Sequence, residues 1–65
     1  MYETIKAICT KKNISIPELE RRAGLGNGTI SKWKTSSPKL DNLEKVAEEL
    51  GIKVTTLIAK SKEKE

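Results

Sequence analysis

The chain has 65 residues and a mass of 7.2 kDa, and its 13 basic and 9 acidic residues give a net charge of +4. It forms one domain, because half of it would fall below the ~40 residues that a core needs without a disulfide, metal or partner. With 35% hydrophobic residues, it is expected to be a soluble globule without a membrane span. The basic balance favours an acidic partner, nucleic acid before an anionic membrane surface.

The small set of reactive side chains excludes several classes of function. The chain has a single cysteine, Cys9, and no histidine, so neither an internal disulfide nor an ordinary zinc or haem site is expected, and no cofactor is predicted. The lone cysteine and the lack of a secretory leader predict a reducing, cytoplasmic location. No activated nucleophile or carboxylate pair is recognisable, so neither an enzyme nor a small-molecule substrate is expected.

The spacing of apolar residues predicts that the chain begins with two helices. The first covers residues 2–12, where apolar side chains recur three and four positions apart, and Asn13 ends it. Its inner face holds Tyr2, Ile5, Ile8 and Cys9. The second opens at Ser15, which forms a reciprocal capping box with Glu18. It ends at Gly24, where glycine adopts a positive φ without a steric penalty.

A third, half-polar helix is predicted over residues 27–34. Its spacing turns Ile30 and Trp33 inward and Asn27 and Lys32 outward. For Trp33, packing in the core competes with stacking on a base. Asn27 suits both helix capping and base contact, and the two roles are compatible.

Two more helices complete the predicted domain. The fourth covers residues 40–50, where leucine, valine and alanine recur at helical spacing before Gly51. A short fifth helix starts at Thr55 or Thr56, and a strand over residues 52–58 is the competing interpretation. The domain then spans residues 1–59, and residues 60–65 form a flexible charged tail.

The order of these elements resembles a known family. Residues 15–34 look like a helix-turn-helix, with Gly24 at the corner and an isoleucine six residues later. Together with residues 40–52 and 55–58, they make residues 2–59 similar to the lambda-repressor-like (Xre/Cro-type) DNA-binding domain. The phrase Asn27-Gly28-Thr29-Ile30-Ser31-Lys32-Trp33 resembles the form found in phage-type repressors of Gram-positive bacteria. The resemblance implies an all-α, compact five-helix bundle in which helices 2 and 3 form the helix-turn-helix.

That resemblance implies sequence-specific binding of double-stranded DNA by a transcriptional regulator that represses from an operator, in the nucleoid of a bacterial or phage-infected cell. Helix 3 would enter the major groove, where amide and ammonium groups read base edges. The expected base-reading residues are Asn27, Gly28, Ser31 and Lys32. The expected phosphate contacts are Ser15, Thr29, Lys34, Thr35, Ser36, Ser37 and Lys39. A homodimer, at least on DNA, would form through Ile52, Val54, Leu57 and Ile58.

Two residues depart from the family pattern, and two other functions are compatible with the same scaffold. Ile16 stands where glutamine is common, which removes a polar contact to the duplex. Glu20 replaces a small alanine, so its stem is expected to pack while its carboxylate reaches solvent or a cation such as Lys32. The alternatives are a protein-interaction module, such as an antitoxin or adaptor using residues 33–39, and an architectural protein that binds DNA without sequence choice.

Overall fold

The computed structural model describes residues 1–63 and shows a bundle of four α-helices. These are α1 (Tyr2–Lys12), α2 (Ile16–Arg22), α3 (Leu40–Leu50) and α4 (Val54–Glu63). A short 3₁₀ helix, Ser31–Lys34, lies between α2 and α3, and no strand occurs in residues 1–63. The predicted all-α class is confirmed, and the predicted bounds of the first and fourth helices agree with α1 and α3. The count of five α-helices is wrong.

Three of the helices end in the same hydrogen-bonded motif. Their closing residues Asn13, Gly24 and Gly51 have φ values of 61°, 74° and 72°. After α2, the Leu25 amide donates to the Glu20 carbonyl at 2.8 Å and the Gly24 amide donates to the Arg21 carbonyl at 3.2 Å. This pair of bonds is a Schellman motif, whose closing residue needs a left-handed conformation that glycine adopts without a Cβ clash. The predicted turn at Gly24 is therefore confirmed.

The start of α2 confirms half of the predicted capping box. The Glu18 amide donates to Ser15 Oγ at 3.2 Å, so Ser15 caps the helix. The Glu18 carboxylate does not return to Ser15 and instead accepts hydrogen bonds from Arg21 and Arg22. The bond from Arg22, with the charge of Arg21 beside it, holds the pKa of Glu18 below its usual value.

The last helix is longer than the sequence predicted. It begins at Val54, before Thr55 and Thr56, and continues to Glu63, so residues 60–63 are helical. Residues 64 and 65 of the predicted tail lie outside the described residues. The competing strand over residues 52–58 is wrong, because α4 buries its apolar side against α1 and α3.

One apolar core joins every element of the bundle. Its buried members are Ile5, Cys9, Leu19, Ile30, Trp33, Leu43, Val46, Ala47, Leu50 and Leu57. Trp33 is a core residue, only 6% exposed, which favours packing over base stacking. Burial raises the pKa of the Cys9 thiol, which disfavours the reactive thiolate and supports a packing role.

Candidate nucleic-acid interface

Residues 27–34, here called the reader segment, form two short pieces instead of the predicted α-helix. Residues 27–30 are turns, and the 3₁₀ helix begins at Ser31. Gly28 has a φ of 88°, which a right-handed helix cannot contain. The Thr29 amide donates to the Gly26 carbonyl at 3.1 Å and the Trp33 amide to the Ile30 carbonyl at 2.9 Å, so these bonds span three residues. The prediction of a continuous helix from Asn27 is therefore wrong.

Glu20 holds the turn of the reader segment against α2. Its side chain is only 3% exposed, and its two carboxylate oxygens accept the amides of Gly28 at 3.1 Å and Ile30 at 2.8 Å. The expectation that this carboxylate reaches solvent or Lys32 is wrong. The turn leaves both amides without a helical partner, and a buried donor without an acceptor is costly, so the carboxylate takes the place of the missing carbonyls.

The sequence pattern did not predict the role of Glu20, because its hydrogen-bond partners lie eight and ten residues further along the chain. The feature of the sequence that could have indicated this role is an acidic residue at a position where two helices are expected to approach closely. Such a residue needs donors to be buried, and backbone amides of the neighbouring turn can supply them.

The polar side of the reader segment is exposed to solvent, and its apolar side is buried in the core. Ile30 has no exposed surface and Trp33 is also in the core, so both face inward as predicted. Asn27, Ser31 and Lys32 are exposed, and their side chains are available to an outside partner. Gly28 is half-buried, and a Cβ built on it would meet no atom within 4 Å. The space outside Gly28 is therefore free.

The loop that follows the reader segment carries most of the predicted phosphate contacts. The Lys34 ammonium lies 4.8 Å from the centroid of the Tyr2 ring, a cation–π contact that ties the end of the 3₁₀ helix to α1. The Ser36 hydroxyl donates to the Lys32 carbonyl at 2.9 Å. The exposed residues of the predicted set are Ser15, Lys34, Thr35, Ser36, Ser37 and Lys39, whereas Thr29 is half-buried.

Charge is distributed unevenly between the reader segment and α3. Residues 27–39 contain three lysines and no acidic residue, a net charge of +3. Residues 40–50 contain one lysine and four acidic residues, a net charge of −3. Of these two segments, residues 27–39 carry the charge that attracts a polyanion.

The predicted dimer patch is smaller than the sequence suggested. Leu57 has no exposed surface and belongs to the core, so its assignment to a dimer contact is wrong. The physical reason is its position on α4, where it faces the side that packs on the bundle. Ile52, Val54 and Ile58 are half-buried and keep some surface for a partner.

The comparison with protein families decides the identity of this scaffold. A family model described as a Cro/C1-type HTH DNA-binding domain matches residues 4–63. The chain belongs to the Cro/C1-type helix-turn-helix DNA-binding domains. No curated protein and no solved structure gives a significant match. As a Cro/C1-type helix-turn-helix domain, the chain binds DNA.

None of the helices in residues 1–63 has both the length and the apolar character that crossing a membrane requires.

Proposed function

We propose that this Cro/C1-type domain is a transcriptional repressor of the phage type that binds an operator in double-stranded DNA by inserting the reader segment into the major groove. The observation that supports this proposal is the exposed polar side of the reader segment over buried Ile30 and Trp33, with Glu20 fixing the turn beneath. A fixed backbone helps short polar side chains to discriminate base edges, because the segment loses little conformational entropy on binding.

Asn27 and Lys32 are the main candidates for reading bases. The Asn27 amide can donate and accept at once, which matches the N6 and N7 edge of adenine. The Lys32 ammonium can donate to O6 or N7 of guanine. Ser31 offers a hydroxyl to either kind of base, and the open space outside Gly28 suits a thymine methyl group.

Phosphate contacts by the loop and by Ser15 would set the register of the reader segment on the duplex. Lys34 and Lys39 supply charge, and exposed hydroxyls of the loop supply neutral donors. Thr29, half-buried at the turn, completes the proposed set. If about four phosphates are neutralised per protomer, the logarithm of the binding constant falls with the logarithm of salt concentration with a slope of roughly −4, doubled for a dimer.

Selection of bound duplexes from a random pool tests the proposed function, and a lysine pair sharpens the test. Lys32→Ala is expected to reduce the binding free energy on the selected sequence by roughly 1–3 kcal/mol. The variant should lose its preference for one base at a single position of each half-site and keep its preferences at the other positions. Lys11→Ala removes the same charge from an exposed position on α1 and is the matched control. Binding is measured by gel shift on the selected duplex and on single-base variants of it.

The outcomes of this test separate the three candidate functions. Equal weakening of all duplexes by Lys32→Ala would indicate an architectural protein without sequence choice. Absence of wild-type binding even at low salt, together with a tight protein partner, would favour an antitoxin or adaptor. Enrichment of one motif, with discrimination lost at a single position of it in the Lys32 variant, supports the proposed sequence-specific binding of an operator.

A homodimer on DNA is the second part of the proposal. A domain of 65 residues reads few base pairs, so useful discrimination requires two half-sites about one helical turn apart. Ile52, Val54 and Ile58 are the proposed contact residues. Sedimentation with the selected duplex should show two protomers per site, and insertion of about five base pairs between half-sites should abolish paired binding, since it rotates them to opposite faces. A single protomer bound to the intact site would contradict the dimer.

A further inference from the structure

A residue of α2 lies beside the first residue of the reader segment. Arg21 and Asn27 line the same surface concavity of about 340 Å³, together with Pro17, Glu20 and Leu25. The Arg21 side chain is 75% exposed and is therefore open to an outside partner. A duplex that reaches Asn27 would cover a concavity that Arg21 also lines.

A salt bridge with Glu18 restrains Arg21 without using up its donors. The Glu18 carboxylate accepts from Arg21 Nη2 and, through its other oxygen, from Arg22 Nε at 2.8 Å. A guanidinium has five N–H donors, so Arg21 retains donors for a second partner. Two cations share this one carboxylate, and the group of three keeps a net charge of +1.

The carboxylate that lines the concavity belongs to Glu20, and it is turned away from the surface. Glu20 is buried, and both of its oxygens accept amides of the reader segment. The exposed polar groups of the lining are thus Arg21 and Asn27. The concavity exposes a cation and a neutral amide to a ligand, above the buried Glu20 carboxylate.

We propose that Arg21 binds a DNA phosphate beside the base pair that Asn27 contacts. This assignment rests on the proposed function and adds a residue to its contact set. In a helix-turn-helix the first helix crosses the sugar–phosphate backbone while the second enters the groove, and Arg21 belongs to the first. A guanidinium offers two parallel N–H donors to phosphate oxygens, and its planar shape lowers the entropy lost per hydrogen bond.

A pair of neighbouring arginines provides the test. Arg22 also binds Glu18 and is exposed, but it does not line the concavity, so Arg22→Ala is the matched control for Arg21→Ala. One phosphate contributes about 0.9 to the salt slope, which corresponds to about eightfold in affinity per half-site at 0.1 M salt relative to 1 M. Arg21→Ala is expected to lose about this factor on every duplex and to reduce the slope, whereas Arg22→Ala changes both much less. Arg21→Lys should recover part of the slope, because it keeps the charge without the fork.

Gel shifts with the selected duplex and its single-base variants, from low to high salt, measure these effects, and circular dichroism checks that each variant is folded. Equal behaviour of the two alanine variants would overturn the assignment while wild-type binding leaves the proposed function standing. A loss confined to one base pair would also overturn it, because Arg21 would then read a base. Absence of wild-type binding would overturn the proposed function and this assignment together.

Discussion

Glu20→Ala is expected to lower the free energy of unfolding by roughly 2–6 kcal/mol, because each of two amides loses its acceptor and a buried donor without an acceptor costs about 1–3 kcal/mol. The two amides are those of Gly28 and Ile30, which donate to the Glu20 carboxylate at 3.1 and 2.8 Å. A domain of this size has a total stability of roughly 3–10 kcal/mol, so the variant loses a large part of it.

The loss is expected to begin in the reader segment. Amide hydrogen exchange should accelerate at Gly28 and Ile30 more than at amides within α1 and α3, because only the first two lose a partner. DNA affinity, corrected for the folded fraction, should fall as well, since the turn that carries Asn27 is no longer fixed. Urea unfolding and exchange measured on the same samples separate the local effect from the global one.

Two further variants at acidic positions sharpen the interpretation of Glu20. Glu20→Gln keeps one acceptor oxygen but places an NH₂ donor where the second oxygen stood, so an intermediate loss is expected. Glu49→Ala removes an exposed carboxylate of α3 and should change stability by less than about 0.5 kcal/mol. Wild-type stability and unchanged exchange at Gly28 and Ile30 in Glu20→Ala would show that the carboxylate does not hold the turn.

Leu57→Ala is expected to cost about 2–5 kcal/mol and to unfold much of the population at 37 °C, because it leaves a cavity in the core. Leu57 has no exposed surface and lies on α4 against the bundle. The only tryptophan of the chain, Trp33, is in the same core, so its fluorescence during urea unfolding reports the loss.

Leu40 provides the matched control for Leu57. It is the same residue type but is 58% exposed at the start of α3, so Leu40→Ala should change the free energy of unfolding by less than about 0.5 kcal/mol. Equal losses in the two variants would contradict the assignment of Leu57 to the core. A Leu57→Ala variant with wild-type stability and a lost dimer would instead restore the dimer contact expected from the sequence.

Local patterns predicted the elements whose formation depends on nearby residues. The bounds of α1 and α3 follow from apolar spacing and from a closing residue, and the turn at Gly24 follows from the conformational freedom of glycine. Ser15 caps α2 through an amide only three residues away. Each of these interactions spans a few residues, so the local sequence is sufficient to predict it.

The reader segment shows where local patterns are insufficient. Its apolar spacing placed Ile30 and Trp33 correctly in the core, yet the same spacing is compatible with an α-helix and with a turn followed by a 3₁₀ helix. Gly28 decides between these two structures, because its positive φ interrupts an α-helix. The buried Glu20 carboxylate stabilises this turn by accepting a hydrogen bond from the Gly28 amide. That contact joins α2 to a different segment and is invisible to periodicity.

By itself, then, the amino-acid sequence determined an all-α domain, three of its helix ends, most of its core and the basic, acid-free stretch of residues 27–39. Only the tertiary structure decided that Glu20 is buried, that Leu57 has no exposed surface and that Arg21 lines the same concavity as Asn27. The physical reason is the separation along the chain of the residues that interact. Helix formation and capping depend on residues within one or two turns, whereas burial, the satisfaction of backbone amides and the meeting of side chains from separate helices depend on how the whole chain packs.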